Sequence, residues 1–357
     1  MGLLKRLFKI IGVLVLVSIG LSVWLLARGG SFSRLEPQFA GRCEALPLEG
    51  SGEDILIDRE RGYAYLSLLD RKGKIEGKDV QGGTVARIDL NQRPFTAVDA
   101  LVTKPGAPLN PHGMSLYTAP DGTRTLVVIN HGAKRGVDPE AVEIFTESAP
   151  GEFTHSESVA GPELLSPNDL VAVGPRQFYV ANDKVLGGGL AAGLQQVGIG
   201  GSPLTYFDGT RLRYVLDNIA SGGGINSSAD HRTLYVAETS GKRVRVLDRG
   251  ESGDVTERAR IAINTSPDNI DVAADGSLWV AGHANTLKLI QHFINGSPAP
   301  SQVWRVALGA DGVSEQEEIY LDDGTNISAG SVGATYGNLL LVGSITERKI
   351  QICEMAG

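Results

Sequence analysis

Six segments of the chain share one design, and this repetition restricts the possible folds more than any other feature of the sequence. Each segment has a small polar cluster, an apolar run, a turn, and a second run rich in Val, Leu and Tyr. They read EDILIDRERGYAYLSL from Glu53, HGMSLYTAPDGTRTLVVINH from His112, NDLVAVGPRQFYVAND from Asn168, INSSADHRTLYVAET from Ile225, DNIDVAADGSLWVAGH from Asp268 and SVGATYGNLLLVGS from Ser331. Apolar runs between them, such as TVARIDL, VEIFTE, RVRVLD, VWRVAL and IQICE, are expected to supply the third and fourth strands of each unit.

A repeat of roughly 40–60 residues made of four short strands is typical of a β-propeller blade. Radial repetition also protects strand edges, which a long all-β chain must otherwise cover. The 46 Gly and 16 Pro among 357 residues indicate many tight turns rather than long helices. A pair of β-sandwiches and a right-handed β-helix are alternatives, but β-helix coils are shorter than this repeat. We therefore predict an all-β fold, a six-bladed β-propeller over residues 43–357, preceded by a hydrophobic N-terminal helix.

The N-terminus carries an uncharged apolar stretch over residues 10–27, with Lys5, Arg6 and Lys9 before it and Arg28 after it. Its length is at the lower limit for a helix that spans a bilayer, and the basic flank predicts that the short N-terminus stays in the cytoplasm. A cleaved signal peptide and a buried core helix are alternatives. We predict a membrane anchor or signal-anchor helix over residues 1–28, a Gly- and Ser-containing linker over 29–42, and an extracytoplasmic propeller on the periplasmic or extracellular side.

The two cysteines stand at opposite ends of the exported domain. Cys43 opens it and Cys353 lies close to its end. In an oxidising compartment a disulfide between them would close the chain into a ring, whereas the alternative is two unrelated buried thiols. The net charge of −8, with no basic run after the first thirty residues, argues against nucleic acid as a partner. The oligomeric state is not indicated.

Polar residues open the first strand of each predicted blade. The first strand of a propeller blade runs along the central channel, so these residues should converge near the axis. They are Glu53 with Asp54, His112, Asn168 with Asp169, Asp268 with Asn269 and, more weakly, Asn226 and Ser331. Carboxylate and amide oxygens are the ligands that calcium prefers. Because adjacent strand residues point in opposite directions, Glu53 and Asn168 could face one ion while Asp54 and Asp169 face a second. The alternative is that these residues only form Asx turns.

These residues carry a family resemblance. From about Cys43 to Cys353 the chain resembles the paraoxonase/arylesterase family of calcium-dependent six-bladed propellers. The matching stretches are GED at 52–54, PHGMS at 111–115, VINH at 128–131, PNDLVAVGPRQFYVAND at 167–183, GIN at 224–226, DNIDV at 268–272, LWVAGH at 278–283 and LLLVGS at 339–344. The resemblance implies two Ca²⁺ ions and the hydrolysis of small aryl esters and lactones. It also implies an uncleaved N-terminus and a bond between the terminal cysteines.

The resemblance also implies a role for each matching residue. Glu53, Asn168, Asp268 and Asn269 would hold the catalytic calcium, and Asp54, Asp169 and the backbone carbonyl of Met114 the structural one. His112 and His131 would form a catalytic dyad, with His283 in the wall of the substrate pocket.

Two places depart from the family pattern. Gly223 stands where the family has an Asn ligand, so the catalytic ion would take water or Asn226 instead. Between Asp183 and Pro203 the family carries an aromatic amphipathic lid, but this chain reads KVLGGGLAAGLQQVGIGGS without an aromatic residue. We therefore expect a more open and flexible pocket, and no lid-mediated attachment to lipoproteins.

The mechanism expected from these features is metal-assisted hydrolysis. Calcium would polarise the carbonyl and stabilise the oxyanion, while His112, assisted by His131, would take a proton from water. The absence of a G-x-S-x-G motif argues against a serine hydrolase. Four alternatives remain: zinc bound by His112, His131 and His283, a propeller that binds without catalysis, a strictosidine-synthase-like condensing enzyme, and a gluconolactonase-like sugar lactonase.

Overall fold

The computed structural model describes residues 2–185, 189–309 and 312–356. Its helices are α1 (Gly2–Arg28), α2 (Arg71–Ile75), α3 (Leu190–Gln196) and α4 (Thr286–Asn295). Two short strands, β1 (Gln38–Phe39) and β2 (Gly41–Pro47), follow α1. All other strands belong to six successive antiparallel sheets, so the prediction of an all-β six-bladed propeller with an N-terminal hydrophobic helix is confirmed.

The blades follow one another along the chain. Blade 1 contains β3 (Ser51–Asp58), β4 (Tyr63–Leu69), β5 (Thr84–Asp89) and β6 (Ala97–Asp99), and blade 2 contains β7 (Pro111–Thr118), β8 (Arg124–Asn130), β9 (Ala141–Ala149) and β10 (Glu152–Ala160). Blade 3 contains β11 (Pro167–Gly174), β12 (Gln177–Asn182), β13 (Ser202–Phe207) and β14 (Leu212–Ile219), and blade 4 contains β15 (Gly222–Ser227), β16 (Thr233–Glu238), β17 (Arg243–Arg249) and β18 (Val255–Ala262). Blade 5 contains β19 (Ser266–Val272), β20 (Leu278–His283), β21 (Ser301–Gly309) and β22 (Gly312–Asp322), and blade 6 contains β23 (Gly330–Tyr336), β24 (Leu339–Ser344) and β25 (Lys349–Met355).

The core of the propeller is divided among the interfaces between neighbouring blades. Second strands are apolar at nearly every position because their two faces pack against two different blades. In β12, Phe178 and Val180 pack toward blade 2, whereas Tyr179 and Ala181 pack toward blade 4. The runs TVARIDL, VEIFTE, RVRVLD, VWRVAL and IQICE all belong to third strands. The fourth strands come from other, more polar segments such as β18, most of which is exposed.

The ring closes with a strand from the N-terminal side of the propeller. β2 pairs antiparallel with β25 and forms the outer strand of blade 6, while β1 pairs with β22 at the edge of blade 5. Cys43 lies opposite Cys353 in this pairing, and the two form a disulfide across a sequence separation of 310 residues. The predicted bond is therefore present. A cross-link over so long a loop has a nominal stabilisation of about 5 kcal/mol, which is an upper value.

The helix α1 lies outside the propeller, and its apolar side chains from Leu7 to Leu26 are exposed. Its length and composition would suit a bilayer span, and an N-terminal signal sequence has the same properties. The C-terminal end of α1 contacts the propeller: the carbonyl of Gly29 accepts a hydrogen bond of 2.9 Å from the amide of Thr286, the first residue of α4. β1 lies within residues 29–42, and the predicted division into anchor, linker and propeller stays a prediction.

Candidate active site

The first strands of the blades contact one another around the ring and line the central channel. Each of them departs from regular pairing at the same level. The irregularities lie between residues 52 and 55, 111 and 114, 167 and 169, 222 and 224, 267 and 270, and 330 and 332. Bulged residues are released from the alternation of the ladder, so their side chains can turn toward the channel. The residues at these positions include Glu53, Asp54, His112, Asn168, Asp268, Asn269 and Ser331, with Asp169 directly after.

Glu53 is the point where four blades meet. The Nδ2 atom of Asn269 lies 3.2 Å from the Glu53 carbonyl oxygen and 3.3 Å from its Oε1. The Nε2 atom of His112 lies 3.6 Å from Glu53 Oε2. The hydroxyl of Ser331 donates to the carbonyl of Glu53. Blades 1, 2, 5 and 6 therefore converge on one residue, Glu53, which is only 2% exposed.

Asp268 and Asn168 both lie next to Gly223, on the first strand of blade 4. The Nε2 atom of His283 lies 3.1 Å from Asp268 Oδ2. A Cβ atom at position 223 would lie 3.1 Å from Asp268 Oδ1. The carboxamide of Asn168 faces the carbonyl oxygen of Gly223 on one side and Nη2 of Arg135, 3.3 Å away, on the other. Its nitrogen can donate to Gly223, whereas a cation at this place would bind its oxygen instead.

Two further buried aspartates, Asp54 and Asp169, accept hydrogen bonds from backbone amides of the neighbouring blades. Asp54 Oδ2 accepts a hydrogen bond of 2.7 Å from the amide of Met114, and Asp169 Oδ2 accepts one of 2.8 Å from the amide of Ile225. Position 113 must be glycine, because a Cβ atom there would lie 2.4 Å from Asp169 Oδ1. Asp54 and Asp169 also line a channel cavity of about 280 Å³, together with Asn226 and His231. Glu53 and Asn168 are not among the residues that line this cavity, and the division into two ion sites stays a prediction.

The two predicted dyad histidines are neighbours. The ring centroids of His112 and His131 lie 4.8 Å apart. The Nδ1 atom of His131 lies 2.7 Å from Oε2 of Glu140, and its Nε2 atom is buried without a partner among the described residues. Burial, followed by the charge of Arg135, lowers the pKa of His131 to about 4. Burial and then Arg135 also hold the pKa of His112 well below its ordinary value. Both imidazoles are therefore neutral at neutral pH and can accept a proton.

The buried carboxyl groups have raised pKa values. Burial, and then the charge of Asp268, raises the pKa of Glu53 to about 8. Burial raises the pKa of Asp54 to about 7, although a hydrogen bond from the amide of Met114 opposes it. Burial, and then Asp54, raises the pKa of Asp169 well above its ordinary range. Such shifts mean that these carboxylates are poorly compensated by the charges of the protein alone.

Two arginines supply the positive charge that the chain itself provides. Arg71 is buried and donates 2.9 Å to the carbonyl of Ser51 and 3.2 Å to that of Ser67. Burial lowers its pKa to about 10, so it stays cationic at neutral pH. Arg135 forms an ion pair of 2.9 Å with Asp183 and donates to the carbonyl of Pro167. Each arginine is thus held by neighbouring groups, and Oε2 of Glu53 keeps no hydrogen-bond partner among the described residues.

A calcium ion fits these residues. Glu53 Oε2 and Asn269 Oδ1 are buried oxygens with no hydrogen-bond partner among the described residues. A site for a hard cation is expected to contain carboxylate and amide oxygens without hydrogen-bond partners. Its carboxyl groups are also expected to have raised pKa values, because the positive charge of the cation is not included. No group of three or more His, Cys, Asp or Glu side chains with metal-binding geometry occurs in the described part of the chain. A cation here would therefore need amide oxygens as well as carboxylates.

The histidine-only zinc site is not formed by the described residues. His131 binds Glu140 and His283 binds Asp268, so the three histidines have different partners rather than a common centre. Asn226 is also not available as a replacement ligand beside Gly223. Its Nδ2 atom donates 2.8 Å to the carbonyl of Ile270, and its Oδ1 atom accepts from the amide of Ser227. Asn226 instead lines the channel cavity that Asp54 and Asp169 also line, because residues 223 and 226 are three positions apart and fall on opposite faces of the strand.

Two cavities adjoin the site. One of about 210 Å³ is lined by His283 and Ser266 and by the end of α1, and one of about 550 Å³ is lined by His131, Lys74 and Asn110. The segment expected to be an open lid contains the short helix α3, and its residues 186–188 lie outside the described residues. The flexibility of this segment stays a prediction.

Sequence reasoning missed Glu140, Arg71 and Arg135. Glu140 stands nine residues after His131, and an acidic residue shortly after a candidate catalytic histidine is a weak signal. Arg71 and Arg135 lie in connections between the second and third strands, α2 in blade 1 and a loop in blade 2, and these connections differ in length and structure from blade to blade. Repeat analysis could therefore not identify them.

Comparisons with known proteins agree with this architecture. The family model described as Arylesterase matches residues 76–355. Human serum paraoxonase/arylesterase 1 is 28% identical over 315 residues, covering 86% of this chain and 87% of that protein. Human serum paraoxonase/lactonase 3 is 27% identical over 356 residues, covering 96% of this chain and 98% of that protein. A solved luciferin-regenerating enzyme has a TM-score of 0.53 at 15% identity, covering 89% of this chain and 96% of its own, and supports the fold alone.

Proposed function

The chain belongs to the arylesterase family, and we propose that this hydrolase cleaves small aryl esters and lactones in a calcium-holding site at the centre of the propeller. The observation that carries the proposal is the convergence of four blades on Glu53, with unpartnered buried oxygens beside a pair of neutral histidines. The curated relatives named arylesterase and lactonase support the reaction class.

Each residue of the site has a proposed role. Glu53, Asn168, Asp268 and Asn269 hold the catalytic Ca²⁺, and Asp54, Asp169 and the carbonyl of Met114 hold a structural one. When bound, the catalytic ion supplies positive charge that polarises the ester carbonyl and stabilises the negative charge formed on its oxygen. The buried, low-polarity surroundings of Glu53 strengthen every charge interaction in the site.

The histidine dyad handles the proton of the attacking water. Glu140 is ionised, because hydrogen bonds from His131 and Gly136 outweigh its burial and lower its pKa. The carboxylate therefore accepts a hydrogen bond from the Nδ1–H group of His131. This leaves the unprotonated Nε2 atom of His131 as the proton acceptor. His112, at 3.6 Å from Glu53, stands between this acceptor and the cation ligands and takes the proton from water. His283, bound to Asp268, forms part of the pocket wall.

The N-terminal helix and the disulfide support a proposed location for the enzyme. The described structure is compatible with a secreted or an anchored extracellular protein, because a disulfide requires an oxidising compartment. We place the propeller on the extracytoplasmic side, with α1 retained as the membrane anchor. The apolar length of α1 and the basic residues before it support this orientation.

The test uses phenyl acetate and an aliphatic lactone, each with calcium and with a chelator. The wild type is compared with Asp268→Ala and with Asp275→Ala, a control on the same blade whose carboxylate is largely exposed and binds Arg305. Chelation and Asp268→Ala should each reduce kcat/KM by about 100-fold or more, because a charge worth several kcal/mol to the transition state is lost. Asp275→Ala should retain activity.

Hydrolysis that persists after both chelation and Asp268→Ala would remove the calcium mechanism. A different result would favour a propeller that binds without catalysis. In that case chelation would lower the melting temperature, while no ester or lactone would be hydrolysed under any condition.

A further inference from the structure

The cavity of about 210 Å³ beside Asp268 is not formed by the propeller alone. Its lining includes His283 and Ser266 from blade 5 and Thr239 from blade 4, and the opposite side is formed by Leu25 and Arg28 of α1. His283 connects this cavity to the candidate cation site, because its Nε2 atom lies 3.1 Å from Asp268 Oδ2. One wall of the cavity that contains His283, the neighbour of the candidate ligand Asp268, therefore belongs to the N-terminal helix.

The end of α1 is held against the propeller by backbone contacts of defined geometry. The carbonyl of Gly29 accepts 2.9 Å from the amide of Thr286, and the carbonyl of Gly30 accepts 3.2 Å from Nδ2 of Asn285. The guanidinium of Arg28 donates 2.5 Å to the carbonyl of Ser240. Blades 4 and 5 are thus both joined to the last residues of the helix.

Gly30 shows how closely the two parts fit. The residue is buried and has a φ of +78°, a conformation that favours glycine. A Cβ atom at this position would lie 2.1 Å from the carbonyl oxygen of Ala284, the residue after His283. Contact between residue 30 and the segment that carries His283 therefore requires both a glycine and a fixed position of the helix end.

We propose that the last turn of α1 is a wall of the substrate pocket, with Leu25 setting the length of the apolar group that the pocket accepts. This inference rests on the proposed function. The cavity is smaller than most small-molecule pockets, so with Leu25 in place it accommodates a short acyl or alkyl group. It follows that α1 stays joined to the propeller in the working enzyme, because cleavage near residue 27 would remove this wall.

The experiment uses the full-length protein in detergent micelles and a series of phenyl esters from acetate to hexanoate. Leu25→Ala should raise the ratio of kcat/KM for hexanoate to that for acetate by about tenfold, because the shortened side chain makes room for added methylenes. Leu16→Ala is the matched control, since Leu16 is in the same helix and 70% exposed. Binding of the corresponding unreactive phenyl ketones is measured in parallel by calorimetry.

Hydrogen exchange at the amide of Thr286 reports the contact itself. Arg28→Ala should speed exchange at this amide by about tenfold, because the helix end that supplies its acceptor is loosened. Arg34→Ala, whose side chain is exposed, is the control and should leave exchange unchanged.

The two proposals fail in different ways. Equal chain-length preference in wild type and Leu25→Ala, for both esters and ketones, would overturn the pocket wall and leave the proposed function standing. If no ester is hydrolysed but ketone binding still depends on Leu25, the proposed function fails and the pocket wall is supported. Fast exchange at Thr286 in the wild type would overturn the fixed position of α1.

Discussion

In the loop between β8 and β9, the Nδ1 atom of His131 lies 2.7 Å from Oε2 of Glu140, and both side chains are buried. The carboxylate fixes which nitrogen of the imidazole carries the proton. His131 in turn packs against His112, whose own ring approaches Glu53. A chain of four side chains therefore links a loop carboxylate to the candidate cation ligands.

Replacing Glu140 tests this arrangement. Glu140→Gln keeps the shape but removes the charge that orders the Nδ1 proton, so kcat should fall by about 10- to 100-fold. The pH profile of kcat should shift as well, because His131 loses a carboxylate that raises its pKa. Glu157→Gln on the same blade, where Glu157 pairs with Arg176 at the surface, is the control. An unchanged profile in Glu140→Gln would exclude His131 from proton transfer.

Removal of calcium should make stability depend on pH. The pKa of Glu53 is raised to about 8 and that of Asp54 to about 7, whereas unfolded carboxyl groups titrate near about 4. Between these values the folded state binds more protons than the unfolded state, so stability falls as pH rises from about 5 to about 8. The melting temperature of the chelated protein should fall over this range, and added calcium should raise it most at the upper end. A pH-independent melting temperature in chelator would contradict the buried charge cluster.

Gly223 is a position where adding a ligand requires a second change. A Cβ atom there would lie 2.4 Å from Thr239 Oγ1, so the threonine fills space that a larger residue at 223 needs. Gly223→Asn alone should therefore lower the melting temperature without tightening calcium binding. The double variant Gly223→Asn/Thr239→Ala should tighten it by about tenfold through an added amide ligand, as measured by calorimetry. Thr239→Ala alone is the control, and equal affinities in the single and double variants would refute this explanation.

The disulfide is expected to stabilise the ring without taking part in catalysis. Cys43→Ser/Cys353→Ser should lower the free energy of unfolding in urea by about 2–5 kcal/mol, because the unfolded chain is no longer cross-linked. Activity at room temperature should stay near that of the wild type, since β2 and β25 lie at the outer edge of blade 6. An equal loss of activity and stability would instead connect the seam to the site.

The repeat pattern was sufficient to predict the propeller and most of the convergent residues. Glu53, Asn168 and Asp268 lie near the start of equivalent strands, so the repeat predicts the same position for all three. In the structure they lie at the equivalent irregularities of β3, β11 and β19. Their roles as ligands stay predictions. Asn226 makes its own contacts with the Ile270 carbonyl and the Ser227 amide, and contacts of this kind between neighbouring blades are not visible in the sequence.

The residues that sequence reasoning missed have no repeated counterpart. Glu140, Arg71 and Arg135 reach the site from connections whose length and shape differ between blades. The contact of Gly30 with Ala284 was equally inaccessible, because it joins the N-terminal segment to a loop more than 250 residues later. Such contacts depend on how the finished ring positions its loops.

The pairing of β2 with β25 has a consequence for biosynthesis. The outer strand of blade 6, β2, is translated before all of blade 1, whereas its partner β25 is translated after the first two strands of blade 6. The thiol of Cys43 therefore has no partner until β25 has been made, because Cys353 lies in that strand. A polypeptide that stops before β25 can form neither this strand pairing nor this disulfide, so its ring stays open.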